Sequence, residues 1–153
     1  MTIVFSGHRE ILLPDIETRL EAAVEKLLQE KDNEFLFLNG GMGQFDGMGA
    51  SAVRAAKCRY PEKKIMLVLV PPYLSKRLNT DKEYYQQNFD RIIIPEEPDT
   101  VHYKAIIERR NRWMIDRADL VIACVCRDFG GAATMLRYAK RQGKPVINLA
   151  ERR

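Results

Sequence analysis

The stretch "DLVIACVCRDFGGAATMLRYAKRQGKPVINL", residues 119–149, decides the fold. It begins with the apolar run "DLVIACV" and turns at Gly130 and Gly131 into a helical segment, 131–142; "PVINL", 145–149, then restores the apolar run. Strand, glycine turn, helix and strand make a βαβ unit, and strands apolar at successive positions are covered on both faces, as in parallel sheets. One residue disturbs the pattern. Arg137 falls early in the helix, where the macrodipole favours negative charge by about 0.3–1 kcal/mol, so an anion is expected near that helix start.

Upstream, the same beat repeats. "TIVFS" (2–6) ends at Gly7, and "PDIETRLEAAVEKLLQE" (14–30) follows with Ile16, Leu20, Val24 and Leu27 at helical spacing. "EFLFLN" (34–39) leads through "GGMG" to a small-residue helix, "GMGASAVRAAKC" (47–58), and "KIMLVLV" (64–70) runs into Pro71 and Pro72. A polar and aromatic segment, 73–90, carries "TDKE" from Thr80, a capping box that opens a short helix with Tyr84 and Tyr85 and serves as a lid or an interface. "RIIIP" (91–95) reads as a short strand and "TVHYKAIIERRNRWMIDRA" (100–118) as a long helix, with Trp113 on its core side. The expectation is a single α/β domain over residues 1–153, a doubly wound, mostly parallel sheet with helices on both faces and right-handed crossovers.

Composition agrees with one ordinary domain: 153 residues, 46% hydrophobic and 30% charged. No apolar stretch approaches the ~20 residues of a membrane helix, and "MTIVFSGHRE" lacks a signal design, so a cytoplasmic protein is expected, with no membrane partner. The net charge of +4 suits an anionic small molecule and nucleic acid alike. Cys58, Cys124 and Cys126 form no C-x-x-C pair, and only His8 and His102 stand beside them. Reduced, mostly buried thiols are expected, with no metal and no cofactor.

Parallel sheets bind ligands where strand C-termini feed helix N-termini. The loops there are "SGHR", "NGGMGQFDGMG", "PPYLSKR" and "CRDFGGAAT", and glycines in two of them let backbone N–H groups approach an anion. The candidate site residues are Gly7, His8, Arg9, Gly40, Gly41, Gly43, Asp46, Arg110, Asn111, Gly130, Gly131, Thr134 and Arg137. Neither loop is G-x-G-x-x-G or a P-loop, so an ordinary dinucleotide dehydrogenase or NTPase is not indicated. Asp46 accepts a ribose hydroxyl or caps the next helix; His8 hydrogen-bonds a base, works as an acid–base group or stabilises its turn. Thr134 and Arg137 share a helix face, and Arg137 clamps an anion there, stays solvated or pairs with Asp128.

"FSGHR", "GGMGQFDGMGASAVRAA", "RRNRWMIDRADLVIA" and "GGAATMLRYAKRQGKPVINL" together resemble the SLOG superfamily, the Rossmann-like fold shared by the DNA-processing protein A core and the Lonely Guy phosphoribohydrolases. The resemblance spans nearly the whole chain and is nearest to a small bacterial and phage branch with "GHR" near its start. It implies a Rossmann-like site for nucleotides or nucleotide-derived ligands, such as ADP-ribose-like molecules, often in a homodimer. Arg110, nine residues before Asp119, and Met114 match positions of the Lonely Guy enzymes. Their P-G-G-x-G-T-x-x-E motif is matched at Gly130, Gly131 and Thr134, while Phe129, Ala133 and Arg137 replace its proline, third glycine and glutamate. A guanidinium repels the cation-like transition state of glycosidic cleavage that a carboxylate would stabilise, so the phosphoribohydrolase reaction is not expected.

The leading expectation is therefore binding of a nucleotide-derived, phosphate-bearing small molecule at the strand C-termini. The first alternative is an N-glycosidic hydrolase or transferase using Asp46 or Asp128. Single-stranded nucleic-acid binding is the second. Nucleic acid is rated an unlikely partner, because acids interrupt the basic run in "ERRNRWMIDRAD" and no stretch interleaves aromatic and basic residues.

Overall fold

A computed structural model describes residues 1–96 and 101–151. Its strands are β1 (Thr2–Gly7), β2 (Glu34–Asn39), β3 (Lys64–Leu69), β4 (Arg91–Ile92), β5 (Leu120–Cys124) and β6 (Val146–Asn148). Between them lie α1 (Ile16–Leu28), α2 (Gln44–Arg59), α3 (Lys76–Thr80), α4 (Lys82–Asn88), α5 (Tyr103–Arg117) and α6 (Gly131–Arg141). The six strands pair in the order β4-β3-β2-β1-β5-β6, and every pairing is parallel. This is the expected α/β, Rossmann-like, doubly wound sheet.

Alternation along the strands creates the two faces. Ile3 and Phe5 of β1, Phe35 and Phe37 of β2, and Ile122 of β5 join Leu20, Val24 and Val53 in one core beneath α1 and α2. Val4, Leu38, Val68 and Val121 point the other way, into a second core with Met114 of α5 and Leu136 of α6. Each face is buried, which is why the strands read as unbroken apolar runs rather than as alternating ones. Trp113 packs half-buried against the second core, with the Arg117 guanidinium 3.8 Å from its ring centre.

Several local expectations change. The second helix begins at Gln44, three residues before the expected Gly47, because Gly43 serves as its N-cap. The capping box at Thr80 does not form: Thr80 ends α3, its hydroxyl donates to the Lys76 and Arg77 carbonyls, and Asp81 precedes α4 without a side-chain cap. The side-chain cap in this segment belongs to α3, where Ser75 Oγ accepts from the Leu78 N–H at 3.3 Å. α5 starts at Tyr103, capped by His102 Nδ1; the expected start at Thr100 lies outside the described residues. All three cysteines are free, but only Cys124 is buried; Cys58 and Cys126 are exposed, against the expectation of mostly buried thiols. No helix among the described residues is long and apolar enough to cross a membrane.

Candidate functional site

The strand order makes the chain wind outward from β1 through β2 and β3 to β4, then return to place β5 on the other side of β1. That reversal is a topological switch point, where the loops above neighbouring strands diverge and leave a crevice. A cavity of about 350 Å³ occupies it, lined by Ser6 to Arg9 above β1, Gly40, Met42 and Asp46 above β2, Arg110, Asn111 and Met114 from α5, and Arg127 and Gly130 to Ala132 above β5.

Two helices start beside this crevice in the same way. Gly43 before α2 has φ 93° and ψ −178°, Gly130 before α6 has φ 93° and ψ 173°, and neither supplies a capping side chain. Only glycine adopts that backbone region routinely, and a helix start without a side-chain cap leaves first-turn N–H groups to another acceptor, which for the Gln44 N–H of α2 is the Arg9 carbonyl at 2.8 Å. The sequence-derived glycines therefore do divide between strand ends, although Gly41 and Gly43 line a neighbouring groove rather than the crevice itself. Thr134 lies in a third depression beside Tyr138, and its hydroxyl donates to the Gly130 carbonyl at 3.1 Å.

The cations divide differently from the expectation. Arg110 is 4% exposed, and its Nη1 donates to the Gly40 carbonyl at 2.9 Å and the Val70 carbonyl at 2.7 Å. Its Nε donates to Asn111 Oδ1 at 2.8 Å, and Nη2 lies 3.2 Å from Met42 Sδ. Those bonds make Arg110 a brace that joins the β2 and β3 loops across the cavity floor.

Arg137 does not line the cavity. It is the seventh residue of α6 and exposed; Nη1 donates to the Asp128 carbonyl at 2.8 Å and Nη2 to Thr134 Oγ1 at 3.3 Å. Instead of facing the cavity, its guanidinium ties the Asp128 carbonyl of the β5–α6 loop to the Thr134 hydroxyl of α6. The cations on the cavity wall are Arg9 and Arg127, with Arg110 below; Arg127 was missed, although it stands in a strand-end loop that the sequence had marked.

His8 is 5% exposed, and its Nε2 accepts from the Cys126 N–H at 3.1 Å and the Arg127 N–H at 3.4 Å. Burial first, and the Arg127 charge second, hold its pKa below the ordinary histidine value, so the ring stays neutral as an acceptor that ties the β1 and β5 loops. Of the two alternative acids, Asp128 is exposed and away from the cavity wall, whereas Asp46 lines it and is 8% exposed. Asp46 is the third residue of α2, not its N-cap, and Oδ2 accepts from the Met42 N–H at 2.9 Å.

Burial pushes the Asp46 carboxyl up to about 6, against the opposing Met42 N–H and the Arg110 charge. A proton held to about pH 6 rather than 3.8 favours the folded state by about 3 kcal/mol in order of magnitude. Because the folded value is raised, that contribution is complete below about pH 4 and is lost as pH rises through 6. Asp46→Asn keeps an acceptor for Met42 and removes the titration. Urea unfolding of both proteins from pH 4 to 8 should show wild type losing stability relative to the variant as pH rises; parallel curves would refute the assignment.

No known family profile matches the chain. Similarity to solved structures shows that the chain has a Rossmann-like fold shared with DNA processing proteins A. DNA processing protein A of Helicobacter pylori, described with a single-stranded DNA binding mode, superposes with a TM-score of 0.69 at 18% identity, over 99% of this chain and 66% of that one. DNA processing protein A of Streptococcus pneumoniae gives a TM-score of 0.61 at 16% identity, over 95% of this chain and 48% of that one. The chain thus spans about two thirds of one structure and half of the other. In sequence it is 24% identical over 139 residues to the uncharacterised SPbeta prophage-derived protein YoqJ of Bacillus subtilis (strain 168), covering 82% of this chain and 81% of that protein. The expectation that nucleic acid is an unlikely partner is corrected: a protein with this fold has a single-stranded DNA binding mode. That expectation rested on linear interleaving of residue types, which says nothing of residues that folding brings together.

Proposed function

We propose that this chain binds single-stranded nucleic acid, seating a backbone phosphate in the crevice between the starts of α2 and α6. The observation that carries the reading is the pair of glycine-capped helix starts flanking one cavity whose rim holds Arg9 and Arg127. Uncapped first-turn N–H groups and the positive helix ends favour an anion, and a guanidinium supplies charge-assisted hydrogen bonds to phosphate oxygens. The likeness to DNA processing protein A in fold supports a strand over a free nucleotide as the occupant. A mononucleotide is the second reading, favoured by the concave shape and the roughly 350 Å³ of the cavity.

Fluorescence anisotropy with a labelled oligothymidylate across a salt series tests the proposal. Binding should weaken with salt, with a logarithmic slope of about −0.7 for each phosphate neutralised. Arg127→Ala should reduce both affinity and slope, whereas Arg137→Ala should stay close to wild type because its guanidinium is spent on Asp128 and Thr134. Absence of salt-dependent strand binding would refute the proposal, and a thermal shift with thymidine monophosphate alone would turn the reading to a free nucleotide.

A further inference from the structure

The wall formed by Gly40, Met42 and Asp46 has a second hollow on its other side. This groove of about 270 Å³ runs from the glycines of the β2–α2 loop to the β3–α3 loop and α4. Its chemistry differs from that of the crevice: Tyr73 and Tyr84 stand on its rim, 38% and 51% exposed, with Arg54 and Arg77 beside them. Large exposed aromatic rings next to cations are what an unpaired base and its backbone require, since every base offers a π-face and every link a negative charge.

The platform is held in place. Tyr84 meets Tyr85 edge to face at 5.2 Å, and Tyr85 stacks on Phe89 at 6.3 Å, so the exposed ring rests on a partly buried aromatic row. Tyr73 packs on Tyr103 at the start of α5, centroids 5.6 Å apart. Arg54 is steadied by the Asn88 carbonyl at 3.3 Å, and Arg77, whose side chain is 73% exposed, has an ion pair with Asp81 at 3.6 Å. A rigid aromatic surface loses little conformational freedom on stacking.

We infer that this groove is a second nucleotide subsite, in which the base next to the phosphate seated in the crevice stacks on Tyr84 while the strand crosses the shared glycine wall towards Arg77. The inference rests on the strand-binding reading above and adds to it a path and a minimum length. One nucleotide fills the crevice; two or more are needed to reach the tyrosines. The segment 73–90, which the sequence left as a lid or an interface, becomes the base-contacting edge of the site.

The test compares thymidine monophosphate with a short labelled oligothymidylate on wild type, Tyr84→Ala, Tyr84→Phe and Arg77→Ala. Both positions are exposed enough for the variants to fold, which thermal melts will verify. Tyr84→Ala should weaken oligonucleotide binding about 5- to 160-fold, the factor that one base stack supplies, and Tyr84→Phe should restore it. Arg77→Ala should reduce the salt slope by about 0.7. Monophosphate affinity should be the same in all four proteins.

Wild-type affinity for the oligonucleotide in the Tyr84→Ala and Arg77→Ala proteins would overturn the subsite while leaving strand binding in place. Equal losses for monophosphate and oligonucleotide would also overturn it, by making the groove part of the crevice. A wild-type protein that binds no oligonucleotide would remove the strand reading itself, and the subsite with it.

Discussion

Arg110→Ala is expected to cost about 3–5 kcal/mol at neutral pH, the range for removing one member of a buried charged arrangement, and to lower the melting temperature by roughly 6–20 °C for a chain of this size. The variant strips the Gly40 and Val70 carbonyls of their donor and leaves the Asp46 carboxylate without its nearest compensating charge. Because Asp46 becomes neutral on acidification, the penalty should be smaller at pH 5 than at pH 8. Arg110→Lys should fall between, since one ammonium lacks the fork that serves two carbonyls and Asn111 together. Denaturant titrations at the two pH values check this, and an unchanged stability of Arg110→Ala at pH 8 would show that the brace is dispensable.

The second large effect is expected at the two helix starts. At Gly43 and Gly130 the backbone lies where a side chain is strained, at about 1–3 kcal/mol each. The neighbourhoods differ, and that difference makes the pair informative. A Cβ at Gly43 would stand 2.5 Å from the Arg9 Cα, whereas one at Gly130 meets nothing within 4 Å. Gly43→Ala should therefore destabilise the protein beyond the conformational cost and displace Arg9 from the rim. Gly130→Ala should cost only the strain, about 1–3 kcal/mol, yet still weaken anion binding at least tenfold by re-aiming the first N–H groups of α6. Melting curves and oligonucleotide titrations on both variants separate these effects. Gly130→Ala with wild-type affinity would remove the α6 start from the binding surface.

These expectations show how far local sequence carries. The glycines that open α2 and α6 were legible as helix starts because glycines between an apolar strand and a helix are a short-range pattern. Arg110 was legible as a candidate near the strand ends, but its hydrogen-bond partners were not: they lie 70 and 40 residues away in the chain, beyond any periodicity. For Arg137 the sequence left three alternatives, an anion clamp, a solvated charge or a partner at Asp128, for the complementary reason. Its place in the helix that follows the glycine pair was visible, but it stands past the middle of α6, and its hydrogen bond to the Asp128 carbonyl was not visible.

The sequence by itself determined the parallel sheet, its doubly wound cover and the strand-end loops that line the crevice. Strands apolar on both faces and glycines at their ends are consequences of burial and backbone sterics that act within a few residues. Only the tertiary structure decided which cations remain on the cavity rim, that Asp46 is buried rather than capping, and that Tyr73, Tyr84, Arg54 and Arg77 share one groove. Each of those outcomes follows from which distant carbonyls and rings reach a side chain first once the sheet has formed, because a buried polar group must find a partner wherever the fold supplies one.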